Sequence, residues 1–110
     1  MTMIERIMNA LENRQFRELS ECFSKDAVYT DYCPALEGGE CYYVCGREAI
    51  EMFFRNRFVH KHFEAASVRI ESAKKATFFG YYDAPFVYAF AEIEGLDEEG
   101  LVTRFTVRPV

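Results

Sequence analysis

Asp31 closes a run, Lys25-Asp-Ala-Val-Tyr-Thr-Asp-Tyr32, whose β-branched and aromatic residues predict an extended strand. Side chains alternate along a strand, so Ala27, Tyr29 and Asp31 share one side and Val28, Thr30 and Tyr32 the other. With the Tyr29 side turned inward, a carboxylate looks into an apolar interior. Burial there raises its pKa toward neutrality, the condition in which a carboxyl group works as general base or acid. The competing role is a strand-end carboxylate that accepts backbone hydrogen bonds or sits in solvent. Tyr29 and Tyr88 carry hydroxyls that orient a ligand, or serve as amphipathic wall residues. With Phe54, Phe90 and Phe105 they complete the expected lining of a ligand site around Asp31.

Other reactive residues point to less. His60 and His62 flank Lys61 and would supply half of a metal site with Cys or Asp. Cys33, Cys41 and Cys45 contain no Cys-x-x-Cys pair, so the pattern predicts a surface histidine pair, no metal and no cofactor. A redox role for these thiols needs a lowered pKa, and Arg47 after Cys45 is the one neighbouring base. Gly38-Gly39 reads as a turn, since no helix start stands directly behind it as a phosphate cradle requires. Arg104 and Arg108 share a face of the last strand, where they are solvated or pair with Glu92 and Glu94.

These residues are positioned by a definite order of elements. Thr2 precedes Glu5 at capping-box spacing, and Ile4, Ile7, Met8 and Leu11 recur on one face, which predicts a helix over residues 3 to 12. Phe16, Leu19 and Phe23 mark a second short helix ending near Ser24, and the sheet is expected to start at Ala27. Residues 33 to 46, with Pro34, Gly38 and Gly39, read as a loop holding a short extended piece at 41 to 44. Ala49, Ile50, Phe53, Phe54 and Phe58 then fall at helical spacing from Arg47 to about residue 60, a core-facing stripe with charges between.

From Phe63 the period becomes two. Ala66, Val68 and Ile70 form one strand face, and residues 86 to 94 form a strand apolar on both sides, with Phe86, Tyr88 and Phe90 on one face and Val87, Ala89, Ala91 and Ile93 on the other. The turn at residues 95 to 100 closes a hairpin onto residues 101 to 107. Residues 73 to 84 mix strand and bend signals, with Gly80, Asp83 and Pro85 favouring a bend. Helices followed by strands predict α+β: a curved antiparallel sheet with three helices packed on its concave face.

The chain has 110 residues, enough for one domain that buries about two-thirds of its unfolded surface. Half the residues are hydrophobic and 16% are aromatic, more ring surface than a small core strictly needs. A net charge of -5 argues against nucleic acid and anionic membranes as partners. No window is apolar enough to span a bilayer and no basic start leads an apolar run, which predicts a cytoplasmic protein with reduced thiols.

The segments Phe23-Ser-Lys-Asp-Ala-Val-Tyr-Thr-Asp31 and Gly46-Arg-Glu-Ala-Ile-Glu-Met-Phe-Phe54 resemble the SnoaL-like and ketosteroid-isomerase-like branch of the nuclear transport factor 2-like superfamily. The resemblance implies a cone-shaped, cystatin-like α+β roll, often a homodimer, that holds a small hydrophobic or aromatic molecule. It also implies that Asp31 occupies the place of a proton-shuttling base. The tyrosine that holds the oxyanion in steroid isomerases falls on Ile7, and residues 101 to 110 contain no acid to serve as second donor. An enolate without either donor loses several kcal/mol of stabilisation, so steroid isomerisation is rejected. The chain stops at Val110 where many relatives continue into one more strand, so the sheet is expected to be short of a last strand or differently counted.

Three functions remain: a small-molecule-binding domain with Asp31 as its polar handle, an acid–base isomerase, cyclase or dehydratase using Asp31, and a non-catalytic interaction module. Homodimerisation through the sheet is expected from Val87, Ala89, Ala91 and Ile93, which a sheet backed by helices on one side leaves uncovered.

Overall fold

Thr2 starts the first helix as its spacing from Glu5 predicts. Its hydroxyl accepts from the Glu5 N–H, and its own N–H donates to Glu5 Oε1 at 3.0 Å. Helix α1 (Met3–Glu12) buries Ile4, Ile7, Met8 and Leu11. The computed structural model describes residues 1–83 and 86–110, the side chain of Glu37 excepted. Pro85, read as part of a bend, lies outside the described residues.

Helix α2 (Phe16–Ser20) is shorter than its sequence suggests, because β1 (Phe23–Asp31) begins at Phe23 rather than Ala27. Phe23 belongs to the sheet and is fully buried there. The stretch after β1 is more ordered than a loop. A 3-10 turn at Cys33–Glu37 leads to β2 (Tyr42–Cys45), which folds back on β1 with Tyr42 opposite Asp31. Gly46 then takes a φ of +100°, which glycine adopts freely, and donates its N–H to Ala27 O at 2.7 Å. This turn launches α3 (Arg47–Val59), and Arg47 Nε fastens it by donating to Phe23 O at 2.7 Å. Ile50, Phe54 and Phe58 are its buried stripe.

The remaining strands are β3 (Glu64–Ile70), β4 (Lys75–Tyr81), β5 (Val87–Leu96) and β6 (Val102–Pro109). The ambiguous stretch after residue 73 is therefore a strand as far as Tyr81. The six strands form one curved sheet in the order β2-β1-β6-β5-β4-β3. Four of its neighbouring pairs are antiparallel, as expected, whereas β1 and β6 run parallel. They are far apart in the chain and no hairpin dictates their sense. Their register sets Tyr29 opposite Phe105 and Asp31 opposite Val107. Bulges near Ser67 in β3 and Gly95 in β5 shift the register and help bend the sheet.

All three helices cover one side of this sheet, α1 against β3 and β4, α3 against β1 and β2, and α2 against the other two helices. The faces of β5 are the reverse of those expected. Val87, Ala89, Ala91 and Ile93 are buried beneath the helices and so leave no uncovered surface, whereas Tyr88 and Phe90 point to the outer face. Volume explains the inversion: Phe54, Phe63, Phe78 and Phe105 already fill the inner side, so β5 contributes small side chains there. No helix in the described residues is long and apolar enough to cross a membrane.

Candidate functional site

Asp31 faces inward with Ala27 and Tyr29, and all three are fully buried. The chain leaves β1 in a tight turn in which Asp31 Oδ1 accepts from the Cys33 N–H at 2.9 Å. Oδ2 accepts from the Tyr82 hydroxyl at 2.5 Å. Burial pushes the Asp31 carboxyl up to about 6, while the bonds from Tyr82 and Cys33 pull it down. The Tyr82 phenol is raised far above its ordinary range, first by burial and then by the Asp31 charge, so its proton stays in place and it remains the donor.

Gly80 makes the position of Tyr82 possible. Strand alternation directs Phe78, Gly80 and Tyr82 inward, and the Tyr82 ring lies back over Gly80. A Cβ there would fall 2.6 Å from Tyr82 Cε2 and 3.0 Å from its hydroxyl oxygen. Phe63 and Tyr42 hold the ring, with centroids 5.3 Å and 5.7 Å away. Tyr82 was absent from the sequence-predicted site because residues 77 to 82 mix strand and bend signals. Its spacing from Gly80 and Phe78 is the pattern that reveals it.

Of the predicted lining, Tyr29, Phe54 and Phe105 come together with Asp31 on the inner side. The Tyr29 ring stacks on Phe105 at 5.2 Å and meets Phe54 edge-on at 4.9 Å. Its hydroxyl is buried without a hydrogen-bond partner, at a cost of about 1–3 kcal/mol, and burial raises its pKa well above the usual value. Tyr88 and Phe90 do not join them. Tyr88 stacks on Phe79 at 4.8 Å on the outer face, and Phe90 lies 4.7 Å beneath the Arg108 guanidinium. Inside, rings in contact run from Phe23 through Tyr29, Phe54 and Phe63 to Tyr82. The region beside Asp31 is accordingly a filled aromatic core.

Open space begins on the other side of Tyr82. A groove of about 510 Å³ is lined by Tyr42, Tyr43, Phe53, Arg57, Tyr82 and Asp83, among others. Its size falls within the roughly 300–1,000 Å³ usual for small-molecule sites. β2, α3 and the end of β4 bring these residues to one mouth. The Arg57 guanidinium sits 5.1 Å from the Tyr42 ring centre and 4.9 Å from that of Phe53. Its Nε is buried without a hydrogen-bond partner, and no ion pair among the described residues includes it. Burial pushes the Tyr42 phenol up to about 12 against the opposing pull of Arg57.

The remaining candidates fall outside this arrangement. His62 Nδ1 lies 2.8 Å from Asp83 Oδ1, while the His60 and His62 ring centres are 6.1 Å apart. No cluster of metal-binding side chains occurs among the described residues. Cys22 and Cys33 are buried free thiols, and Cys41 and Cys45 are exposed ones. Burial raises Cys33 far from thiolate character. Arg108 pairs with Glu92 at 3.4 Å, as its strand position suggests.

Neither a protein-family model nor a curated protein matches the sequence. Solved structures do match its shape. An uncharacterised bacterial protein with a cystatin-like fold from Silicibacter pomeroyi DSS-3 aligns with a TM-score of 0.63 at 16% identity, covering 96% of this chain and 72% of that one. An NTF2-like protein of unknown function from Cytophaga hutchinsonii ATCC 33406 gives 0.62 at 12% identity, over 96% and 84% of the two chains. The chain has the cystatin-like, NTF2-like fold. A protein proposed to be a ketosteroid isomerase, from Kribbella flavida DSM 17836, shares this NTF2-like architecture with a TM-score of 0.60 at 15% identity over 98% and 75% of the chains. At such identities the likeness speaks for the NTF2-like fold alone.

Proposed function

We propose that this NTF2-like domain binds a small, partly aromatic molecule in the groove at the mouth of the cone, with Asp31 acting through Tyr82. The observation that carries this reading is the 2.5 Å hydrogen bond linking a buried carboxyl to a side chain that forms the groove wall. Tyr29, Phe54 and Phe105 back Asp31 and keep it dry, while Tyr42, Phe53 and Tyr82 meet the ligand. Binding is favoured over proton transfer because both Asp31 oxygens are occupied and its partner holds its proton tightly. An acid–base reaction at Asp31 requires Tyr82 to swing aside first.

Thermal-shift screening of aromatic compounds against the parent, Tyr82→Phe and Asp31→Asn tests the reading. Compounds that stabilise the parent should lose at least half of their shift in both variants. Equal shifts in all three chains would remove the Asp31–Tyr82 pair from the site.

The outer face of the sheet favours a second, compatible reading, a homodimer formed through the sheet. Phe79 and Tyr88 stack there while remaining 42% and 43% exposed, and Phe86 is also exposed.

A further inference from the structure

We propose that the groove selects an organic monoanion, an aryl carboxylate, with Arg57 as the carboxylate contact. This rests on the groove being the small-molecule site and adds the class of ligand it takes. Among the described residues, three charged ones line the groove: Glu40, Arg57 and Asp83. Asp83 is already engaged by His62. Among the described residues Arg57 is the one cation of the lining, in a chain whose net charge is -5.

Aromatic rings, rather than a carboxylate, hold that cation in place. Cation–π contact restrains a guanidinium without consuming its N–H donors, so Arg57 is orientated but not neutralised. Its planar fork matches a carboxylate through two parallel hydrogen bonds. Tyr42, Phe53 and Tyr82 on the same groove supply apolar faces for a ring attached to that carboxylate. One cation flanked by Glu40 and Asp83 suits a single negative charge and disfavours a phosphate dianion.

Matched probes test the inference: 2-naphthoate, naphthalene-2-carboxamide and 2-naphthyl phosphate, titrated by amide NMR into the parent, Arg57→Lys and Arg57→Gln at low salt. Naphthoate should shift the resonances of Tyr42, Phe53 and Tyr82 and bind at least tenfold more tightly than the amide or the phosphate. Arg57→Gln should reduce naphthoate to the affinity the amide shows for the same variant, and a naphthoate that stays at least tenfold tighter than the amide in Arg57→Gln overturns the role of Arg57. Arg57→Lys should fall between, since an ammonium keeps the charge but not the fork. Should Arg57→Gln fail to fold, the ratio of naphthoate to amide in the parent and Arg57→Lys decides the matter. Equal binding of naphthoate and amide in the parent overturns anion selection and leaves the groove as a site. If no probe perturbs the groove, the site reading itself falls, and this inference with it.

Discussion

Protonating Asp31 is easier in the folded chain than in an unfolded one, because burial lifts its pKa from 3.8 to about 6. The folded state therefore holds an extra proton between those values, and stability falls as pH rises through that window. At 1.36 kcal/mol for each pKa unit, this contribution is about 3 kcal/mol, present in full below pH 4 and lost above pH 7. Asn at this position still accepts from the Cys33 N–H but carries no charge. Asp31→Asn should thus be more stable than the parent at pH 7.5 by about 1–3 kcal/mol, with the difference shrinking toward pH 4. Urea unfolding at pH 4.5, 6 and 7.5 measures this directly. Identical pH slopes for the two chains would show that Asp31 is not held as described. Strand alternation alone set this residue on the side of Ala27 and Tyr29, and the structure turns that side inward. Its partner was not, since nothing in local spacing announces that a tyrosine 51 positions later reaches back to it.

Among the elements, β4 carries the feature on which the site depends. Gly80 leaves the space in which the Tyr82 ring lies, so Gly80→Ala drives a methyl group into that ring. The expected cost is about 1–3 kcal/mol of stability, together with loss of the Tyr82–Asp31 bond. Denaturant unfolding and the Tyr82 side-chain resonances should report both effects, and an unchanged Tyr82 environment would contradict the proposed packing. The helices were legible because α1 and α3 repeat their apolar residues at a helical period and α1 starts at a capping box. β5 was legible as a strand but not in its orientation, because both faces are apolar and only the volume of the residues opposite decides which turns inward. The parallel pairing of β1 with β6 lies equally beyond local pattern, since their register is set across the whole chain.

For the whole molecule, the sheet has a helix-covered inner side and an outer side bearing Phe79, Tyr88 and Phe86. If this outer side joins two copies, the parent should run as a dimer in light scattering at micromolar concentration. Phe79→Glu combined with Tyr88→Glu should then give a folded monomer, and a monomeric parent would remove the dimer. The curved sheet with helices on its concave side was legible from the order of helices and strands, whereas its filled interior depends on how rings from β1, α3, β4 and β6 meet in space. The part proposed for Asp31 in the groove passes through one hydrogen bond at the boundary between that filled interior and the open mouth. The most direct measurement is a carbon-13 titration of the Asp31 carboxyl in the parent and in Tyr82→Phe. The account predicts a midpoint near 6 in the parent, moving higher when the tyrosine hydroxyl is removed. A midpoint near 4 that ignores the substitution would contradict it.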